Sequence, residues 1–166
     1  YYSIHKVMAG LYDIYTLCDN EQALSVLSKL VDYIERRCNK LDDSKMQRVV
    51  ETEIGGTAEL LFNYYLLTKK PEHLALAKRF RKDWLFDSLA RGEDPLTGKH
   101  ANTNIPEVVG AAKRYEVTGE KECKQSCEHF WHLVADHRSY STGGSSNREI
   151  WDKPDALFST LSGYNQ

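Results

Sequence analysis

The chain has 166 residues, 41% hydrophobic and 28% charged, with a formal net charge of −2. That balance supports a folded core and excludes both a disordered segment and a strongly basic nucleic-acid binder. No apolar run approaches the ~18 residues of a membrane span, so neither nucleic acid nor membrane is expected as a partner. Oligomeric state is not readable from the sequence.

Beginning at Tyr1-Tyr2, with no initiator methionine and no signal-peptide pattern, the sequence reads as one domain over 1–166 of a longer parent that continues on both sides. Its periodicity predicts a first helix from about Lys6 to Leu17, with Val7, Met8, Leu11, Ile14 and Tyr15 on the apolar stripe. Asp19 and Asn20 mark a turn and cap a second helix carrying Leu24, Leu27, Leu30, Val31 and Ile34 to about Arg37. A start signal at Asp42 to Ser44 opens a third helical stretch, which Gly55-Gly56 interrupts. A fourth helix over Thr57 to Leu67 pairs with one starting near Pro71. From Asp87 the periodicity fails, and turn formers from Gly92 to Pro106 predict a long loop. Helices over Glu107 to Val117 and Glu120 to about His137 follow, then an irregular glycine-rich stretch from Tyr140 to Arg148. No segment alternates as a strand would, although short strands inside the loops would escape such a reading.

Tyr15, Tyr65 and Tyr115 lie fifty residues apart, each near the end of the first helix of a helix, turn, helix pattern. A repeat of that length marks stacked supersecondary units, here three αα-hairpins of an all-α array.

Three polar clusters stand out: Tyr1 to Lys6, Gly98 to Asn104, and Gly143 to Glu149. The first two lie just upstream of a hairpin's first helix in this reading, so an array closing on itself would bring them to one end. Histidine, asparagine, tyrosine and carboxylate together suit a sugar, which has apolar faces and many hydroxyls. Each cluster also has a plainer reading, with His5 a satisfied histidine near a helix start and Glu149 a solvated loop acid. Cys123, Cys127, His129 and His132 have the residue types of a zinc site, but one straight helix does not wrap four ligands tetrahedrally. The four cysteines show no CxxC spacing, read as small buried hydrophobes, and leave the redox compartment open. Trp84, Trp131 and Trp151 read as packing residues, with Trp151 near enough to Glu149 to serve as a sugar platform.

Several motifs in order make the chain resemble the β-L-arabinofuranosidase-like glycoside hydrolase family 127. They are Tyr1-Tyr2-Ser3-Ile4-His5-Lys6 with Ala9-Gly10-Leu11, Glu53-Ile54-Gly55-Gly56 before Glu59-Leu60, His100-Ala101-Asn102-Thr103 with Ile105-Pro106, and Tyr140 to Gly144 with Glu149. The resemblance spans essentially the whole chain. It implies an (α/α)6 catalytic barrel, of which three hairpins form about half, and a retaining glycosidase releasing terminal L-arabinofuranose or a related sugar from glycans or glycoproteins. By motif match Glu149 is the general acid/base, and His5, His100, Asn102 and Tyr140 bind substrate at one end of the array. The same resemblance implies zinc and a zinc-bound cysteine nucleophile in the parent, with ligands beyond Gln166 and no metal held within this chain. It also implies that the fragment alone is inactive and that Glu149 is partly buried among loop aromatics. The competing reading is a noncatalytic helical glycan-binding or protein-interaction module on the same fold. An extracellular or periplasmic setting is the favoured expectation.

Overall fold

The protein, described over residues 1–160 by a computed structural model, is all-α: eight α-helices, one short 3₁₀ turn and no extended strand among those residues. In chain order the helices are α1 (Tyr2–Cys18), α2 (Glu21–Cys38), α3 (Asp43–Val50), α4 (Thr57–Thr68), α5 (Pro71–Arg79), α6 (Asp83–Ala90), α7 (Ala101–Thr118) and α8 (Lys121–Ala135). Two compact units result, one covering Tyr1–Lys82 and the other beginning at Asp83.

The fifty-residue repeat is physical. Tyr15, Tyr65 and Tyr115 each stand three residues before the last residue of α1, α4 and α7, and all three are half-buried. The residue after each helix, Asp19, Lys69 or Gly119, is left-handed, with φ of 53°, 56° and 72°. A left-handed residue reverses the chain and lets its N–H reach back to a helix carbonyl. Lys69 N and Gly119 N accordingly donate to the carbonyls of Tyr65 and Tyr115 at 2.7 and 2.8 Å. The second helix of each hairpin then starts at residue 21, 71 or 121 and packs on the first.

In the first unit, α2 starts where Asn20 Oδ1 accepts from Ala23 N at 3.0 Å, and it buries Ala23, Leu27, Val31, Ile34 and Cys38 along one face. That stripe is turned slightly from the predicted one, leaving Leu24 and Leu30 half-buried. At the other end of α2, Arg79 from α5 donates to the Cys38 and Leu41 carbonyls at 2.6 and 2.7 Å, tying α5 to the turn that follows α2. Helix α4 packs on both α5 and α1, and Leu60, Leu61, Phe62, Leu76 and Ala77 are buried. Tyr64 Oη donates to Ser28 Oγ at 2.9 Å, tying α4 to α2.

The second unit packs α6 and α7 on α8 around Leu85, Phe86, Leu89, Val108, Ala111, Phe130 and Trp151. Trp151 meets Phe130 edge-on, ring centroids 5.7 Å apart, and its indole N–H donates to Ser145 Oγ at 3.3 Å. It is 1% exposed, a core residue rather than a sugar platform. Trp131, read as packing, is 68% exposed.

Several boundaries differ from the sequence reading. The first helix begins at Tyr2, so His5 lies in its first turn and not upstream of it. Of its predicted stripe only Met8 is fully buried, while Val7 and Ile14 are exposed. A break at Phe80 to Lys82 separates α6 from α5, which moves the start of the long loop to Arg91. Helix α7 begins at Ala101 rather than Glu107, and Pro106 lies inside it. Proline at the sixth helical position removes the N–H that would reach the Asn102 carbonyl, so one bond of the α7 ladder is missing in its second turn.

The left-handed caps give a direct test. Gly119→Ala forces a Cβ onto a residue at φ 72° and should lower stability by about 1 kcal/mol, whereas Lys69→Gly should leave it unchanged or raise it by up to about 1 kcal/mol. Urea unfolding midpoints of the two variants measure the difference.

Candidate functional site

Two short segments of the second unit meet edge to edge. Gly98 N donates to Trp151 O at 2.8 Å, Trp151 N to Lys99 O at 2.9 Å, and Ala101 N to Glu149 O at 2.7 Å. The result is an isolated antiparallel bridge between His100 and Ile150. Beyond it the chain reverses at Asn147 to Ile150, whose N–H groups and carbonyls exchange bonds of 2.9 and 3.0 Å. Arg148 and Glu149, at φ 50° and 69°, are the two central residues of this turn. That is the type I′ hairpin pattern, in which Asn-Gly is the favoured pair because both central residues need positive φ. Neither Arg nor Glu adopts it without cost, about 1–2 kcal/mol each.

The pairing brings two of the predicted residues together. His100 Nε2 lies 3.1 Å from Glu149 Oε2. His100 also caps α7: its Nδ1 accepts from Thr103 N at 3.1 Å and lies 3.0 Å from Thr103 Oγ1. Because Nδ1 accepts from a backbone N–H, the proton of the neutral imidazole sits on Nε2, which therefore donates to Glu149. Buried Asn104, which the sequence reading placed in a polar cluster without a role, donates from Nδ2 to the His100 carbonyl at 2.7 Å. Histidine, Thr103 and Asn104 thus hold one another, and Glu149 O and His100 Nδ1 answer two of the orphan N–H groups at the start of α7. Both members of the pair face solvent, with side chains 34% and 48% exposed for His100 and Glu149. The expected burial of Glu149 among loop aromatics is not found, since Trp151 lies in the core and the Tyr140 hydroxyl donates to Leu157 O at 3.2 Å.

Asn102 is exposed on the first turn of α7. Tyr140 lines a small cavity with Arg138, Ser146, Asn147 and Leu157. His5 belongs to the first unit, where its ring lies against Gly55-Gly56. A Cβ on Gly55 would come within 2.8 Å of His5 Nδ1, and one on Gly56 within 3.0 Å of Nε2. Only glycine permits that approach, and Gly55 also sits at φ 59°. Glu59 Oε2 stands on the same side, 3.5 Å from that Gly56 Cβ position. His5 Nδ1 is buried without a hydrogen-bond partner, and burial, reinforced by the charge on Lys6, lowers the His5 pKa below its ordinary 6.5. The ring is therefore neutral at neutral pH. Its contribution to stability is complete above about pH 6.5 and declines as pH falls below that value, where the unfolded chain takes up the proton first.

Among the described residues no three His, Cys, Asp or Glu side chains are grouped to hold a metal. His129 Nε2 donates to Glu93 O at 3.0 Å, and His132 Nδ1 lies 2.8 Å from Asp136. Burial pushes the Cys127 thiol up to about 11 and raises that of Cys38, which lies beside the Tyr1 hydroxyl. Cys18 is exposed, unlike the small buried hydrophobe the sequence suggests. Zinc needs grouped ligands and deprotonated thiols, and these residues do not fit it.

Residues 1–165 match the family model described as β-L-arabinofuranosidase, GH127 catalytic domain. No curated protein matches the chain.

Two backbone substitutions test the geometry. Arg148→Gly removes a left-handed side chain and should raise stability by about 1 kcal/mol without altering the hairpin. Gly55→Ala combines a left-handed Cβ with a collision at His5 and should cost roughly 2 kcal/mol or more. Thermal and denaturant unfolding read both, and stabilisation by Gly55→Ala would contradict the close packing of His5 on this turn.

Proposed function

Since the chain belongs to the glycoside hydrolase family 127 catalytic domains, we propose that it supplies the general acid/base of a retaining glycosidase acting on terminal L-arabinofuranose or a related sugar. The observation that carries this reading is the Glu149 carboxylate, held on a left-handed residue of a tight turn and met at 3.1 Å by the His100 Nε2–H. Backbone strain of this kind persists where the surroundings impose it, and it concentrates at functional sites. The all-α hairpin repeat agrees with part of an (α/α)6 barrel.

Retaining hydrolysis needs a group that first gives a proton to the glycosidic oxygen and then takes one from water. Glu149 has two oxygens for these tasks: Oε2 accepts from His100, and Oε1 is left to face the substrate. As the carboxyl group loses its proton to the leaving group it becomes charged, and the Nε2–H bond to Oε2 strengthens. Such a bond stabilises the transition state more than the ground state. The N-terminus of α7, close behind the pair, favours negative charge in the same place. Sugar binding would exclude water from the half-exposed pair and strengthen these interactions. Asn102 and Tyr140, in the same unit as Glu149, are proposed to help bind the sugar, and His5, in the first unit, is proposed as a sugar-contacting residue on the motif resemblance alone. The nucleophile, a zinc-bound cysteine in this reading, is proposed to come from outside these residues, because none of the four cysteines here fits that role.

Hydrolysis of aryl β-L-arabinofuranosides by the protein carrying this chain tests the assignment. Glu149→Gln should lower kcat/KM about 10²- to 10⁴-fold for a poor leaving group, the usual range for a positioned acid. The loss should shrink for a dinitrophenyl leaving group, which departs without a proton. Equal losses for both leaving groups would remove Glu149 from the acid role.

A further inference from the structure

Arg138 is a charged residue buried in the second unit, 2% exposed, and the chemistry above does not use it. It follows α8, and its own N–H donates to Val134 O at 3.0 Å. Its guanidinium reaches three parts of the unit. Nη2 donates to Asp94 Oδ2 at 2.6 Å and to Thr97 Oγ1 at 3.3 Å, both in the segment leading to His100. Nε donates to the Asp152 carbonyl at 3.0 Å, three residues after Glu149. Nη1 donates to the Leu133 carbonyl at 2.9 Å, on α8. Asp94 in turn accepts from Leu96 N at 3.0 Å through Oδ1, setting the turn that leads into the paired segment.

A rigid planar fork suits this task. Its donors have fixed mutual directions, so partners bonded at once are held at set separations. The burial makes the arrangement demanding, because an unpaired guanidinium here would be costly and the partners must stay in place. The backbone pairing of Gly98 to Ala101 with Glu149 to Trp151 is only a few bonds long, and a two-stranded pairing of that length is marginal by itself. Something outside it must hold its register, because a slip of one residue would turn His100 or Glu149 to the opposite side.

We infer that Arg138 is the positioning residue of the His100–Glu149 pair, clamping through Asp94 and the Asp152 carbonyl the two segments whose side chains meet at the site. The inference rests on the reading of Glu149 as acid/base for its catalytic consequence, but the clamp is testable without turnover.

The experiment is a double-mutant cycle read by the ¹⁵N shifts of the His100 ring in the 166-residue chain, through long-range coupling to its carbon-bound protons. Glu149→Gln should move those shifts in the otherwise unaltered protein, because a carboxylate acceptor is replaced by an amide. The same replacement is then made on Asp94→Asn, which weakens the branch to the His100 segment, and on Arg138→Lys, which removes the fork and the branch to Asp152. With the clamp broken, the effect of Glu149→Gln should fall to less than half its original size in both backgrounds. The cycle subtracts the influence of fixed neighbours such as Lys99. Circular dichroism and tryptophan fluorescence, from Trp84, Trp131 and Trp151, report whether α6 to α8 remain folded. An undiminished effect in a folded variant overturns the proposal. If one variant unfolds the other decides, and if both unfold, Arg138 serves the whole unit and the positioning role is likewise overturned.

Turnover separates this inference from the functional reading. In the protein carrying the chain, Arg138→Lys should lower kcat about 10- to 100-fold with KM nearly unchanged, the size expected for a misplaced reacting group. A lost ¹⁵N coupling with full activity of Glu149→Gln would sink the acid/base reading and leave the clamp standing.

Discussion

Three backbone hydrogen bonds between Gly98 to Ala101 and Glu149 to Trp151 are the constraint on which the site depends. They join segments about fifty residues apart, and two of them serve a second purpose. The Ala101 N–H, an orphan at the start of α7, is satisfied by the Glu149 carbonyl, so the helix start and the acid are positioned by the same bond. The Trp151 N–H bond to Lys99 O fastens the segment just before its indole enters the core against Phe130. A core contact thereby anchors the exposed turn, and the strain at Arg148 and Glu149 is offset by packing a few residues away.

Histidine 100 links the helix to the chemistry. An ordinary cap accepts one N–H and ends there. This cap has a second ring nitrogen, and its acceptance from Thr103 N determines that the second one donates. The tautomer is thus set by secondary structure, and the direction of the bond to Glu149 follows from it. In the first unit His5 is treated differently: it is pressed against Gly55-Gly56, and burial holds its ring neutral.

The hairpin repeat was legible in the sequence because it has a local cause. Each unit ends its first helix three residues after a tyrosine and reverses at a left-handed residue, and Asp, Lys and Gly at those places still leave polar turn text that periodicity can find. The beginning of α1 was hidden because Tyr1 to Lys6 lacks an apolar stripe, and that of α7 because Asn102, Asn104 and Pro106 resemble loop text. What made residues 101–106 helical is a cap by histidine, a residue outside the usual Ser, Thr, Asp and Asn set. The I′ turn at Arg148-Glu149 was illegible for the opposite reason, since neither residue favours positive φ and tertiary bonds impose it. Motif resemblance placed His100 and Glu149 in a common site, but it gave no indication of Asn104 or Arg138, whose roles arise from hydrogen bonds between segments distant in sequence.

The most direct measurement is the tautomer of His100 at neutral pH, read from the ¹⁵N shifts of its two ring nitrogens. The account requires an unprotonated Nδ1, accepting from Thr103, and a protonated Nε2, donating to Glu149. A proton on Nδ1 with a bare Nε2 would break both the helix cap and the bond to the carboxylate, and would contradict the site described here.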